Sequence, residues 1–211
     1  MYWMHCRTIV LSLCAAVVVT TLAASALAEV ATADSTLDQL GLAKGESDLI
    51  EDLTNGIPDS NSVGPFRRWE GYRWCAIRLG ELRSRQAAPV LIARLKEPLP
   101  PRIQADLELH NAGYLKKMTW EEWDNRADNF LFEFRSHCAQ SLAMIGDDTA
   151  LPSLLDYLAS VRPVVAQTLK GDDPDSSVLW HYSRLCKAIT AMGSKEGIDA
   201  LIALLDTLPA K

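Results

Sequence analysis

The sequence predicts an all-α chain, an α-solenoid of stacked helix pairs with a helical insertion in its middle. Three observations carry the prediction. A helix–turn–helix unit occurs over Arg73 to Leu95 and returns over Cys138 to Leu158 and Leu185 to Leu205. Both halves of each copy carry apolar residues at i, i+3, i+4 and i+7, the spacing of one buried helix face. Glycines and prolines stand between the halves, where helices end and begin.

The first helix of the unit places Tyr72, Cys75, Ala76, Leu79 and Leu82 on one stripe. Cys138, Ala139, Leu142 and Ile145 repeat it, as do Tyr182, Leu185, Cys186, Ile189 and Met192. The second helix carries Ala88, Leu91, Ile92 and Leu95, then Leu151, Leu154, Leu155 and Leu158, then Ile198, Leu201, Ile202 and Leu205. Each pair therefore expects a neighbour to cover it. Gly146 and Gly193 fall where a helix closes in the left-handed conformation, and Pro89 and Pro152 fall in a first turn, where a missing N–H is harmless.

A partial fourth copy lies upstream, where Leu40-Gly41 through Leu53 overlays on Met192-Gly193 through Leu205. Equivalent positions Leu49, Leu91, Leu154 and Leu201 are then 42, 63 and 47 residues apart. The pattern Leu-Gly-x-Leu-(Gly)-(Asp)-x-x-Ala-x-Pro-x-Leu-Ile resembles the HEAT-like repeats of bacterial scaffold proteins and phycobilisome lyases, whose units run to roughly 40 to 47 residues. The resemblance covers about two thirds of the chain after residue 28. It rests on packing and turn residues and so speaks to fold rather than activity. For the scaffold branch it implies a protein or peptide partner. For the lyase branch it implies a protein that holds a linear tetrapyrrole and delivers it to a cysteine, a cytoplasmic task.

Residues 1–28 differ in kind. Thr8 to Ala28 carries no charge, and Ala26-Leu27-Ala28 before Glu29 is the small-x-small pattern accepted by signal peptidase. A cleaved export signal is expected, with a periplasmic or extracellular mature chain that has no stable membrane span. The competing reading is a retained anchor, because 21 uncharged residues suffice to span a bilayer. The expected organisation is a signal peptide at 1–28 and one repeat domain at 29–211. Within that domain the order is partial cap 35–55, repeat 66–97, insertion 98–129, repeat 130–160, loop insertion 161–178 and repeat 179–208.

Beyond residue 28 there are 20 basic and 27 acidic residues, a net charge of −7, which disfavours nucleic acid held by general electrostatics. Residues 67–102 run against that balance with nine basic and three acidic side chains. The ordinary account is a solvated face paired with acids of adjacent repeats, Glu51 and Asp52 among them. The sharper one is an anion-binding patch, since arginines predominate.

In the insertion, Thr119-Trp-Glu-Glu122 is a capping box, and a stripe from Trp120 and Trp123 through Phe130, Phe134, Cys138 and Ile145 predicts one helix over about 120–145. Trp120 and Trp123 either pack on the Ile103 to Leu115 segment or form a partner-binding edge. Residues 171–177, with three aspartates, lack calcium-loop spacing and read as a polar loop.

Catalytic motifs are missing: there is no Gly-x-Ser-x-Gly, His-Glu-x-x-His, phosphate loop, Cys-x-x-Cys or dinucleotide fingerprint. His110, His137 and His181 stand apart from other ligand types at metal spacing, and His137 and His181, on first helices of different copies, read as surface or partly buried imidazoles. Cys75, Cys138 and Cys186 fall on the apolar stripes and read as reduced core residues. No catalytic, cofactor-binding or metal-binding residue is assigned. Second helices of solenoids usually line the concave face. The candidate partner-binding residues are therefore Arg94, Lys96, Asp156 and Tyr157, off the second-helix stripes, with Trp120 and Trp123 as the alternative.

Overall fold

The computed structural model describes residues 33–59, 64–115, 120–170 and 176–205. The expected export segment, the capping Thr119 and the acidic residues 171–175 lie outside them. The described residues form an all-α stack. α1 (33–39) turns at Gly41 into α2 (Glu46–Asn55). α3 (Pro65–Glu81) pairs with α4 (Ala88–Lys96), and α5 (Pro101–Leu115) follows as the insertion. α6 (Trp120–Ile145) pairs with α7 (Leu151–Lys170), and α8 (Ser176–Ala191) with α9 (Lys195–Leu205).

α6 is the spine. It packs on α3 along one side and on α8 along the other, so the first helices of the three copies form one row; α4, α7 and α9 form the second. The repeated stripes merge there into one continuous core, running from Leu37 through Leu79, Leu91, Leu142 and Leu154 to Ile189. Where α3 and α6 meet, Gly80 allows close approach, and the Ser141 hydroxyl donates to the Ala76 carbonyl at 2.7 Å.

The turns inside the pairs repeat one device. Gly146 and Gly193 are left-handed, with φ of 70° and 68°. The next residue then caps the helix that follows: the Asp147 carboxylate accepts from the Thr149 N–H at 3.0 Å, and Ser194 Oγ from the Gly197 N–H at 2.9 Å. In the first copy Arg83 takes the left-handed position with φ 51°, and Ser84 Oγ accepts from the Ala87 N–H. The Ser84 and Arg83 N–H groups return to the Leu79 and Gly80 carbonyls, the paired bonds of a Schellman close.

Two expectations change. The loop expected from Val161 is helix as far as Lys170, although Pro163 lies inside it. Val165 is buried and extends the line of Leu154 and Leu158, while Pro163 faces solvent, so packing outweighs one lost backbone hydrogen bond. On α9 the stripe is only partly covered. Ile198 is 43% exposed and Ile202 52%, because no further pair stacks on this helix among the described residues.

α5 is tied in by a buried polar network. Asp106, 1% exposed, accepts from Arg68 Nε and Nη2 and, at 2.7 Å, from the Tyr72 hydroxyl, which itself accepts from the Ile57 N–H. Arg68 also reaches Asp59, which pairs with Arg102. The network joins the exit of α2 to α3 and α5, and with both partners present the buried charges are compensated.

Candidate interaction surfaces

α4 and α7 lie side by side and carry four of the residues expected to meet a partner. Lys96 and Asp156 are exposed and form an ion pair across the two helices at 3.2 Å. Arg94 and Tyr157 are not surface residues, contrary to the sequence expectation: they are 6% and 5% exposed. The cause is α6, which covers the other flank of α4. From it Arg135 donates to the backbone carbonyls of Arg94 at 3.1 Å and Glu97 at 3.3 Å, and lies 5.9 Å from the Tyr157 ring centre. Burial lowers the Arg94 pKa, Arg135 adds to that, and the Arg94 Nε and Nη1 atoms have no hydrogen-bond partner. The outward ridge is therefore Lys96 with Asp156. The side chains of Trp120 and Trp123 lie outside the described residues.

Part of the arginine-rich segment is held by intramolecular acids, which among the described residues do not include Glu51 or Asp52. Arg68 pairs with Asp106 and Asp59, Arg73 with Glu133, and Arg78 with Asp34 and Glu81. Carboxylates from α1, the α2 exit, α5, α6 and α3 itself thus take up three guanidiniums of α3, while Arg67 is exposed.

A second feature emerges only from the fold. α3, α5 and α6 enclose a cleft of about 140 Å³. Aromatic rings form one side in an unbroken chain: Phe134 to Trp69 at 5.4 Å between centres, Trp69 to His110 at 6.4 Å, and His110 to Phe130 at 4.7 Å, edge to face. Glu70, Arg73 and Glu133 complete the lining, with Arg73 Nη1 2.6 Å from Glu133 Oε1. Sequence reading passed over Glu70 because a single acid on a first helix has no periodic signal, and it absorbed Phe130 and Phe134 into the stripe of α6. The visible clue was Trp69-Glu70, an aromatic and an acid adjacent on a helix whose charged residues up to Arg78 are otherwise basic.

His110, His137 and His181 are all buried. His137 meets Arg184, whose guanidinium lies 4.1 Å from the Trp180 ring centre. Burial holds His137 well below the usual imidazole value, with Arg184, Arg73 and His181 reinforcing the effect. His181 stands edge-on to Phe132 and 3.4 Å from Ser136 Oγ. Among the described residues no three His, Cys, Asp or Glu side chains come together as metal ligands. All three described cysteines are free thiols; Cys75 and Cys138 are buried and Cys186 is half-buried. Burial pushes Cys138 up to about 12 and Cys186 to about 11, so neither is a ready nucleophile.

Residues 134–160, the second half of α6 and the start of α7, match the family described as PBS lyase HEAT-like repeat. Neither a curated protein nor a solved structure gives a significant match to the chain. No helix among the described residues is long and apolar enough to cross a membrane.

Proposed function

We propose that this HEAT-like repeat protein is an exported binding and assembly module of the bacterial cell envelope, acting on a protein or peptide partner rather than by catalysis. The observation that carries the reading is the architecture itself: consecutive helix pairs, one of them matching the HEAT-like repeat, stacked into two rows. Stacks of this kind present extended surfaces to partners. The Lys96–Asp156 pair gives one such surface both signs of charge, which suits a polypeptide with its own charge pattern more than a polyanion. Export rests on the uncharged run that ends in Ala26-Leu27-Ala28.

Two measurements test it. N-terminal sequencing of protein produced in a bacterial host should find Glu29 first, and a full-length membrane-embedded product would refute export with cleavage. Capture from envelope extract with the mature chain should retain a defined protein, lost when Lys96 and Asp156 are exchanged for residues of opposite charge.

A second reading has one observation behind it, the match to a repeat described from phycobilisome lyases. It predicts a tetrapyrrole absorbance band after incubation with a bilin. A scaffold with no such task predicts the spectrum of the free pigment.

A further inference from the structure

The cleft between α3, α5 and α6 has a composition that selects its ligand. Its walls combine aromatic rings with two carboxylates and one guanidinium. Arg73 pairs with Glu133 at 2.6 Å, so those charges offset one another. Among the described residues no cation pairs with Glu70, which leaves the lining one negative charge in excess. Aromatic faces attract cations, and a carboxylate beside them adds a charge-assisted hydrogen bond. A volume of about 140 Å³ admits one side chain and excludes a pigment or a nucleotide.

We propose that this cleft receives a single lysine side chain of a protein partner, its methylenes against Trp69 and Phe130 and its ammonium at Glu70. The proposal rests on the reading of the chain as a protein-binding module and gives that module a chemical preference. Lysine suits the small space because its ammonium is compact and its stem apolar, whereas a guanidinium is broader and must align its plane with the carboxylate. The site lies on the first-helix row and the inserted α5, not on the second helices that solenoids usually offer. It therefore depends on the insertion, which places His110 against Phe130.

The test uses the purified protein, isotopically labelled, and two blocked tripeptides, glycine-lysine-glycine and the same peptide with norleucine for lysine. The lysine peptide should shift the amide signals of residues 69–73 and 130–134 in a saturable way, and the norleucine peptide should not. Glu70→Gln should weaken lysine binding about tenfold, the size of one charge-assisted pair, with an unchanged melting temperature. Equal binding of the two peptides, no saturable shift with either, or full affinity in Glu70→Gln would overturn the assignment. Tighter binding after Lys116→Ala with Lys117→Ala would mean that the chain's own lysines fill the cleft, which also overturns it. These outcomes are independent of partner capture. Failed capture with intact lysine binding refutes the scaffold reading alone, and successful capture with no lysine binding refutes the cleft alone.

Discussion

A Cβ added to Gly80 would stand 2.8 Å from the Cα of Ser141, so α3 and α6 touch backbone to backbone at the contact that joins the first two full copies. Alanine at position 80 gains about 1 kcal/mol of helix propensity but forces the helices apart, a strain of about 3 kcal/mol when the obstacle is backbone. Gly80→Ala should therefore lose about 2 kcal/mol in chemical denaturation. Equal or higher stability would show that the interface has slack.

Arg83 supplies the opposite case. Its φ of 51° is the conformation that glycine fills in the other copies, and its side chain is exposed. A left-handed non-glycine residue costs about 1–2 kcal/mol, partly offset by glycine's greater freedom in the unfolded chain. Arg83→Gly should raise stability by about 0.5–1 kcal/mol. Gly146→Ala, at φ 70°, should lower it by about 1 kcal/mol.

The Arg68–Asp106–Tyr72 network should fail asymmetrically. Asp106→Ala takes the buried carboxylate from the Arg68 guanidinium, which keeps the exposed Asp59, and should cost about 3 kcal/mol. Tyr72→Phe removes the acceptor of the Ile57 N–H and one of the two donors to Asp106 Oδ2, which keeps Arg68 Nε, and should cost about 1–2 kcal/mol. Denaturation midpoints of the two variants order these effects, and a larger loss for Tyr72→Phe would contradict the geometry.

Acid should pull on stability in two directions. His137 has a folded pKa below its ordinary 6.5, so the unfolded chain takes up the proton first and stability falls as pH drops through 6.5. Asp52 is raised from 3.8 to about 6 by burial, with Asp48 and Glu51 adding to it. Its folded form protonates first, and stability rises as pH falls from about 6 towards 3.8. Relative to the parent, His137→Gln should gain stability between pH 7 and pH 5, and Asp52→Asn should lose it, each by about 1 kcal/mol. Identical pH slopes in all three proteins would remove both groups from the linkage.

Thiol reactivity should follow burial. Cys75 is raised well above the ordinary thiol value and Cys138 to about 12, both by burial. A thiol-reactive dye should label half-buried Cys186 first and slowly, with Cys75 and Cys138 reacting only on unfolding. Immediate labelling of Cys138 would show that the α4–α6–α7 core opens.

The sequence by itself determined the helix pairs, the left-handed closes at Gly146 and Gly193, the long α6 and the core character of Cys75 and Cys138. Each of these is local: a stripe of period 3.6 shows which face of a helix is apolar, and a glycine shows where it closes. Tertiary structure alone decided what covers the remaining faces. Arg94 and Tyr157 sit off the stripe of their own helices and would be exposed on an isolated helix, yet α6 and its Arg135 close over that flank. Ile198 and Ile202 sit on a proper stripe and stay open because nothing stacks on α9 among the described residues. Glu70 and His110, forty residues apart, line one cleft because α5 folds back on α3 and α6. Periodicity is a property of one helix, whereas burial and site formation belong to the neighbours that the chain brings to it from afar.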